Sequence, residues 1–275
     1  MAETVRVGAV RYLNAKPLYE YLGEFAPTVR LVLDYPSRLA DRLARDELDV
    51  ALIPSIEYAR GVSKGYAILP DLSISSGGPV RSVKLFSRVP FKSIDRLALD
   101  AGSRTSQALA RIWLDRVHGV HPSGIEELPL GVPAEESTAD AVLVIGDRAM
   151  RVDEGDYYET IDMAEAWKSL TGLPFVFAFW VAREGAELGD LPELLVRCRD
   201  KGLAHARDLA EAHGPRLGLD MNVCYDYLTK SLQYDFGERE RAGLRHFYRE
   251  AARLGLAPEG VHLVFHGPRH FAQGR

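Results

Sequence analysis

Three polar side chains, Arg11, Tyr12 and Asn14, stand between a small apolar run and Pro17 in VGAVRYLNAKPLYEYL, residues 7–22. A guanidinium, a phenol and an amide at the handover from strand to helix offer hydrogen bonds where a ligand would sit. The same arrangement recurs along the chain. Pro54 and Ser55 follow VALI, Arg81 and Ser82 precede VKLFS, and Ser103, Thr105 and Ser106 open a helix-like segment in SRTSQ. Gly146 and Asp147 follow AVLVI. Open parallel α/β sheets hold ligands beyond the carboxyl ends of their strands. Helix starts there present free N–H groups and a partial positive charge. Hydroxyls and an amide, with arginine nearby, suit a carboxylate or another oxyanion. In SRTSQ one hydroxyl suffices to cap a helix; three exceed that need, so capping by Ser103 and anion binding both stand as readings. Asp147 in GDRA is either a base or a helix cap, and Glu57 a first-turn carboxylate.

Other chemistries find less support. Ser75-Ser76-Gly77-Gly78 lacks the following Lys-Ser/Thr of a nucleotide-binding loop and reads as a turn. His262, His266 and His270 recur every four residues, but a strand rises about 3.3 Å per residue, which puts the first two roughly 13 Å apart. No HExxH, CxxC or GxSxG occurs, and no GxGxxG follows a strand. The missing GxGxxG argues against a dinucleotide enzyme, and metal binding by these histidines is not expected. Cys198 and Cys224 read as reduced core thiols.

The positioning elements alternate. Thr4–Val10, Val29–Tyr35 and Val50–Ile53 read as strands, with helices between them marked by Leu18, Leu22 and Phe25 and, capped by Ser37, by Leu39, Leu43 and Leu48. This β-α-β-α-β order predicts a mostly parallel sheet covered by helices. Tyr66–Leu72 and Ser82–Ser87 are further strands. The pattern restarts after Val89-Pro90 with strands at Leu97–Asp100, Ile125–Leu130, Ala141–Ile145 and Phe175–Ala182. Helices over Ser103–His118, with Leu109, Ile112, Trp113 and Val117 on one face, and over Asp162–Leu170 lie between them. A helical tail begins near Asp190, and Val261–Phe265 closes with a strand. Residues 1–88 plus 184–275 are expected to form one lobe and residues 89–183 the other.

The 275 residues are 47% hydrophobic, enough for a sizeable core, and the formal net charge is -5. A mildly acidic chain without basic runs is a poor nucleic-acid binder. No apolar run reaches the roughly 18 residues of a membrane span, and no secretory signal is visible. A cytoplasmic protein with a small-molecule ligand is the expectation; the oligomeric state is not specified.

The opening stretch resembles the chorismate dehydratase family of the futalosine route to menaquinone, whose members begin with a strand and then S/R-Tyr-Leu-Asn-x-x-Pro-Leu. DVALIPSIEY, GPVRSVKLFS, LALDAGSRTSQALARIWL, ADAVLVIGDRA and AWKSLTGLPFVFAFWVAR match further pieces in order. The resemblance implies a two-lobed α/β fold of the type II periplasmic-binding-protein kind with a cleft between the lobes. It also implies a hydro-lyase that converts chorismate to 3-[(1-carboxyvinyl)oxy]benzoate and water without a cofactor. Carried onto this chain, it gives Asn14 and Ser82 catalytic roles. Arg11, Tyr12, Ser55, Arg81, Ser103, Thr105, Ser106, Gly146 and Asp147 would bind substrate. The proton acceptor would be the substrate's own side-chain carboxylate, with Asp147 as the protein-borne alternative. A non-catalytic carboxylate sensor and the sister dihydroxynaphthoate synthase are the competing readings. The sister family opens with a Ser-Pro-Cys-Pro-Asn-type stretch that is absent here.

Overall fold

A computed structural model describes residues 4–267. Ten strands form two five-stranded sheets. The first contains β1 (Arg6–Val10), β2 (Arg30–Asp34), β3 (Val50–Pro54), β4 (Ala67–Ser76) and β10 (Phe175–Ala182), in the order β2-β1-β3-β10-β4. The second contains β5 (Val83–Ser87), β6 (Arg96–Asp100), β7 (Gly124–Leu128), β8 (Ala141–Ile145) and β9 (Glu159–Asp162), in the order β7-β6-β8-β5-β9. In each sheet one strand runs against its neighbours: β10 is antiparallel to β3 and β4, and β5 to β8 and β9.

Those two reversed strands depart from the expected division of the chain. β5 falls within residues 1–88 yet pairs in the second sheet, and β10 falls within residues 89–183 yet pairs in the first. An apolar run declares a buried strand but not its partners, so hydrophobicity alone could not place either one. The strands β3, β8 and β10 are buried along their whole length. Along β8, Ala141, Leu143 and Ile145 join the main core while Val142 and Val144 pack in a smaller core with Phe86 and Ala98. That explains why these strands read as continuous apolar runs rather than alternating ones.

Several local expectations change. Ser37 does not cap its helix: helix Pro36–Ala44 begins on the proline, after Tyr35, with no side-chain cap. Proline suits this position because its missing N–H would be unpaired there anyway. Val117 is 48% exposed. Helix Arg104–Trp113 passes into a π-helical turn, Leu114–His118, and the extra residue in that turn shifts the helical phase that would have buried it. β9 is a short edge strand without an apolar pattern. Val261–Phe265 contributes only an isolated bridge, Phe265 to Ile68. The tail helix Leu191–Ala204 packs on the first lobe so closely that a Cβ on Gly202 would lie 2.4 Å from the Pro17 carbonyl oxygen. Cys198 and Cys224 are free and buried, and burial pushes the Cys198 thiol up to about 12. Among the described residues no helix is long and apolar enough to cross a membrane.

Candidate active site

A narrow cleft of about 40 Å³ lies between the sheets and is lined by residues of both lobes. The first lobe contributes residues at the ends of β1, β2 and β3: Val10, Tyr12, Asn14, Pro36 and Pro54. The second contributes Ser103 and Ser106 after β6, and Ile145 and Gly146 at the end of β8. The reversed strands add Ser82 and Val83 from the start of β5, and Phe177 and Ala178 from β10. A β-bulge places Phe177 opposite no residue of β4, between the Val176–Ser75 and Ala178–Ile74 pairs. Bulges of this kind re-aim a side chain beside a site. None of the lining side chains is charged.

Six of the sequence-predicted residues therefore meet around one cavity: Tyr12, Asn14, Ser82, Ser103, Ser106 and Gly146. Asn14 sits inside a single 3-10 turn, Leu13–Ala15, and caps no helix; the cap positions around it are Tyr12 and Ala15, neither with a side-chain bond. Its Oδ1 is buried without a hydrogen-bond partner among the described residues. A buried amide oxygen left unpaired is costly, so it is suited to a ligand donor. Tyr12 crosses to the second lobe. Gly146 has a φ of +75°, and a Cβ there would lie 2.7 Å from the Tyr12 ring. Only glycine satisfies both the dihedral and the contact. Burial first, and then the nearby Asp100 carboxylate, raise the Tyr12 phenol well above its ordinary value, which keeps it a neutral donor.

The three hydroxyls of SRTSQ divide their work. Ser103 caps helix Arg104–Trp113 by accepting from the Ser106 amide, and the Ser103 and Ser106 hydroxyls lie 3.1 Å apart. Thr105 faces away from the cleft and its Oγ1 accepts the Ile56 amide of the other lobe at 3.1 Å. Ser55, also outside the lining, donates to the Val176 carbonyl at 2.8 Å. Asp147 is turned beneath the cleft, where its carboxylate accepts the Leu13 amide at 3.1 and 3.3 Å. Burial raises Asp147 to about 6 against that hydrogen bond and the charges of Arg151, Lys16 and Arg11.

The two predicted arginines do not line the cavity. Arg11 is exposed, with its guanidinium 5.1 Å from the Tyr35 ring centre. Arg81 is exposed at a φ of +66°. Its amide donates to Asp162 at 2.5 Å and that of Val80 at 3.0 Å; this pinned turn delivers Ser82 to the cleft. Glu57 pairs with Arg104 at 3.1 Å, and Arg104 also grips both oxygens of Asp41 across the lobes. His262 and His266 lie on the extended stretch beside β4, and no group of three or more potential metal ligands occurs among the described residues. His270 lies outside the described residues.

A menaquinone biosynthesis family model matches residues 5–253. The chain belongs to the menaquinone biosynthesis family. Two curated relatives bear the name chorismate dehydratase. One, from Thermus thermophilus, is 32% identical over 92% of this chain and 96% of its own length. The other, from Campylobacter jejuni, is 26% identical over 91% of this chain and 99% of its own length. Among solved structures, protein AF1704 from Archaeoglobus fulgidus superposes with a TM-score of 0.71 at 17% identity, covering 93% of this chain and 99% of that one. The periplasmic aliphatic sulphonate binding protein SsuA from Escherichia coli gives 0.62 at 14% identity, with 95% and 96% covered. The fold is therefore the two-lobed periplasmic-binding-protein architecture, and this member of the menaquinone biosynthesis family is an enzyme built on it.

Two residues of the site are invisible to motif reading. Asp100, fully buried, accepts the amides of Gly102 at 2.8 Å and Ile145 at 3.0 Å and meets Arg148 at 2.5 Å. It fixes the two turns that carry Ser103 and Gly146. Burial raises its carboxyl despite the Arg148 charge. Tyr227, also fully buried, donates to the Ser82 hydroxyl oxygen at 2.7 Å. A tyrosine in a helical tail reads as core, and Asp100 reads only as the last residue of a strand.

Proposed function

We propose that this protein is a hydro-lyase that removes water across C3 and C4 of the chorismate ring, giving 3-[(1-carboxyvinyl)oxy]benzoate. The observation that carries the reading is a cleft between the lobes whose polar side chains are hydroxyls and one amide, in a chain 32% identical to a chorismate dehydratase. Chorismate has two carboxylates and one hydroxyl. The N-terminus of helix Arg104–Trp113, with Ser103 and Ser106, suits one carboxylate. Asn14 and Ser82 face each other from opposite lobes and take the reacting edge. Tyr12 closes the pocket over the ring.

The electron pair of the C3–H bond becomes the new C3=C4 bond as the C4–O bond breaks. The substrate's side-chain carboxylate takes the C3 proton, and the C4 oxygen leaves as water with that proton. Aromatisation of the ring drives the step, so the protein's work is to orient the reacting groups and stabilise charge on the departing oxygen. Asp147 is the weaker candidate for the base because its carboxylate is engaged with the Leu13 amide beneath the cleft.

Incubation of the protein with chorismate tests this directly. A benzoate-type ultraviolet spectrum is the expected result. Binding without spectral change would instead support a sensor, and turnover of the cyclic futalosine-derived substrate would point to the sister naphthoate-forming activity.

A further inference from the structure

We infer that Tyr227 is a positioning residue for this reaction, which fixes the direction in which the Ser82 hydroxyl donates; the inference rests on the proposed function. Tyr227 opens the π-helical turn Tyr227–Ser231, which follows helix Met221–Asp226. Its side chain is wholly buried and its hydroxyl donates to Ser82 Oγ at 2.7 Å. The Asn14 amide makes a polar contact with the same hydroxyl. The residue thus joins the two side chains placed at the reacting edge, although it comes from neither of their strands.

The direction of the bond follows from acidity. A phenol is a stronger donor and a weaker acceptor than an aliphatic alcohol, and burial disfavours ionisation of the Tyr227 phenol. Between Tyr227 and Ser82 the tyrosine gives its proton and the serine receives it. Ser82 Oγ then has its lone pair engaged on the protein side and its own O–H left over. No other partner for that oxygen occurs among the described residues, and Ser82 lines the cleft. Its hydrogen therefore points at the ligand.

Asn14 presents the opposite polarity, since its buried Oδ1 can only accept. A donor from one lobe and an acceptor from the other then meet the substrate, tied through one phenol. Serial hydrogen bonds polarise one another, so the Tyr227 hydroxyl strengthens Ser82 as a donor to the C4 oxygen as it takes up charge. Ser82 keeps its proton throughout. The C3 proton passes by way of the substrate carboxylate to the departing oxygen, as above.

A double-mutant cycle reads this coupling. Tyr227→Phe removes one oxygen and keeps the ring. In the otherwise unchanged protein it should lower kcat about tenfold with KM within about twofold, as expected for an interaction made chiefly in the transition state. In a Ser82→Ala background the same change should have almost no further effect. An unchanged kcat in Tyr227→Phe, or an equal loss in both backgrounds, would overturn the inference. Should Tyr227→Phe not fold, 3-fluorotyrosine introduced at position 227 supplies a stronger donor of nearly the same shape. It should alter kcat with Ser82 present and not with Ser82→Ala; equal effects would again refute the coupling. If the unaltered protein leaves chorismate intact, the proposed function falls. The cycle is then run on the affinity for 3-(carboxymethoxy)benzoate, where non-additive losses support the Tyr227–Ser82 unit and additive ones reject it.

Discussion

The carboxylate of Asp147 in the second lobe accepts the backbone amide of Leu13 in the first, at 3.1 and 3.3 Å. This contact joins the lobes one residue before Asn14. Burial raises Asp147 from 3.8 to about 6. An acid whose folded value is raised binds its proton more tightly when folded, so its favourable contribution is complete below about 3.8 and is lost as the pH rises through about 6. Between pH 7.5 and 4 the group should add about 2–3 kcal/mol to stability. Asp147→Asn lacks the titration and keeps an acceptor for Leu13. Thermal unfolding of both proteins across this range should show the difference moving in favour of the wild type as the pH falls. A gap that does not change with pH would contradict the assignment.

Thr105 holds the lobes together from inside the core. Replacing it by Val preserves its shape and leaves the Ile56 amide without an acceptor, an omission that costs about 1–3 kcal/mol. Calorimetry should register that loss, and Thr105→Ser should recover most of it. Because Thr105 bridges the lobes, the Val variant should also show a raised KM for chorismate.

Asn14→Asp separates chemistry from folding. The residue caps no helix, so the melting temperature should move little. A carboxylate there would add negative charge beside a doubly negative substrate; two like charges about 4 Å apart at an effective dielectric of about 20 cost about 4 kcal/mol. A fall in kcat/KM of a hundredfold or more is expected, measured by the chorismate assay. Wild-type turnover would remove Asn14 from the reaction.

The strand-to-helix turns were legible because strand ends, prolines and hydroxyls mark them locally; Tyr12, Asn14, Ser82, Ser103, Ser106 and Gly146 all converge on the cleft. Direction was not legible. Thr105 carries the same hydroxyl as its neighbours, yet helical geometry turns it into the lobe interface. Arg11 and Arg81 sit beside site residues and point outward. Tyr227 lies 145 residues from Ser82, a separation that no spacing rule spans. The strand pairings of β5 and β10 were hidden for the same reason, since they are settled by the other lobe rather than by their own residues.

The late arrival of β10 has a consequence for how the chain is made. It is the fourth strand in its sheet, between β3 and β4, but it is synthesised after every strand of the other sheet. Residues 4–76 emerging from a ribosome hold a sheet with a gap beside β3, which stays open until about a hundred more residues have been added. The second sheet, β5 to β9, is complete within one continuous segment, but the first cannot mature until β10 arrives, so the nascent first lobe needs either a holding chaperone or rapid completion to keep those edges from pairing with a neighbour.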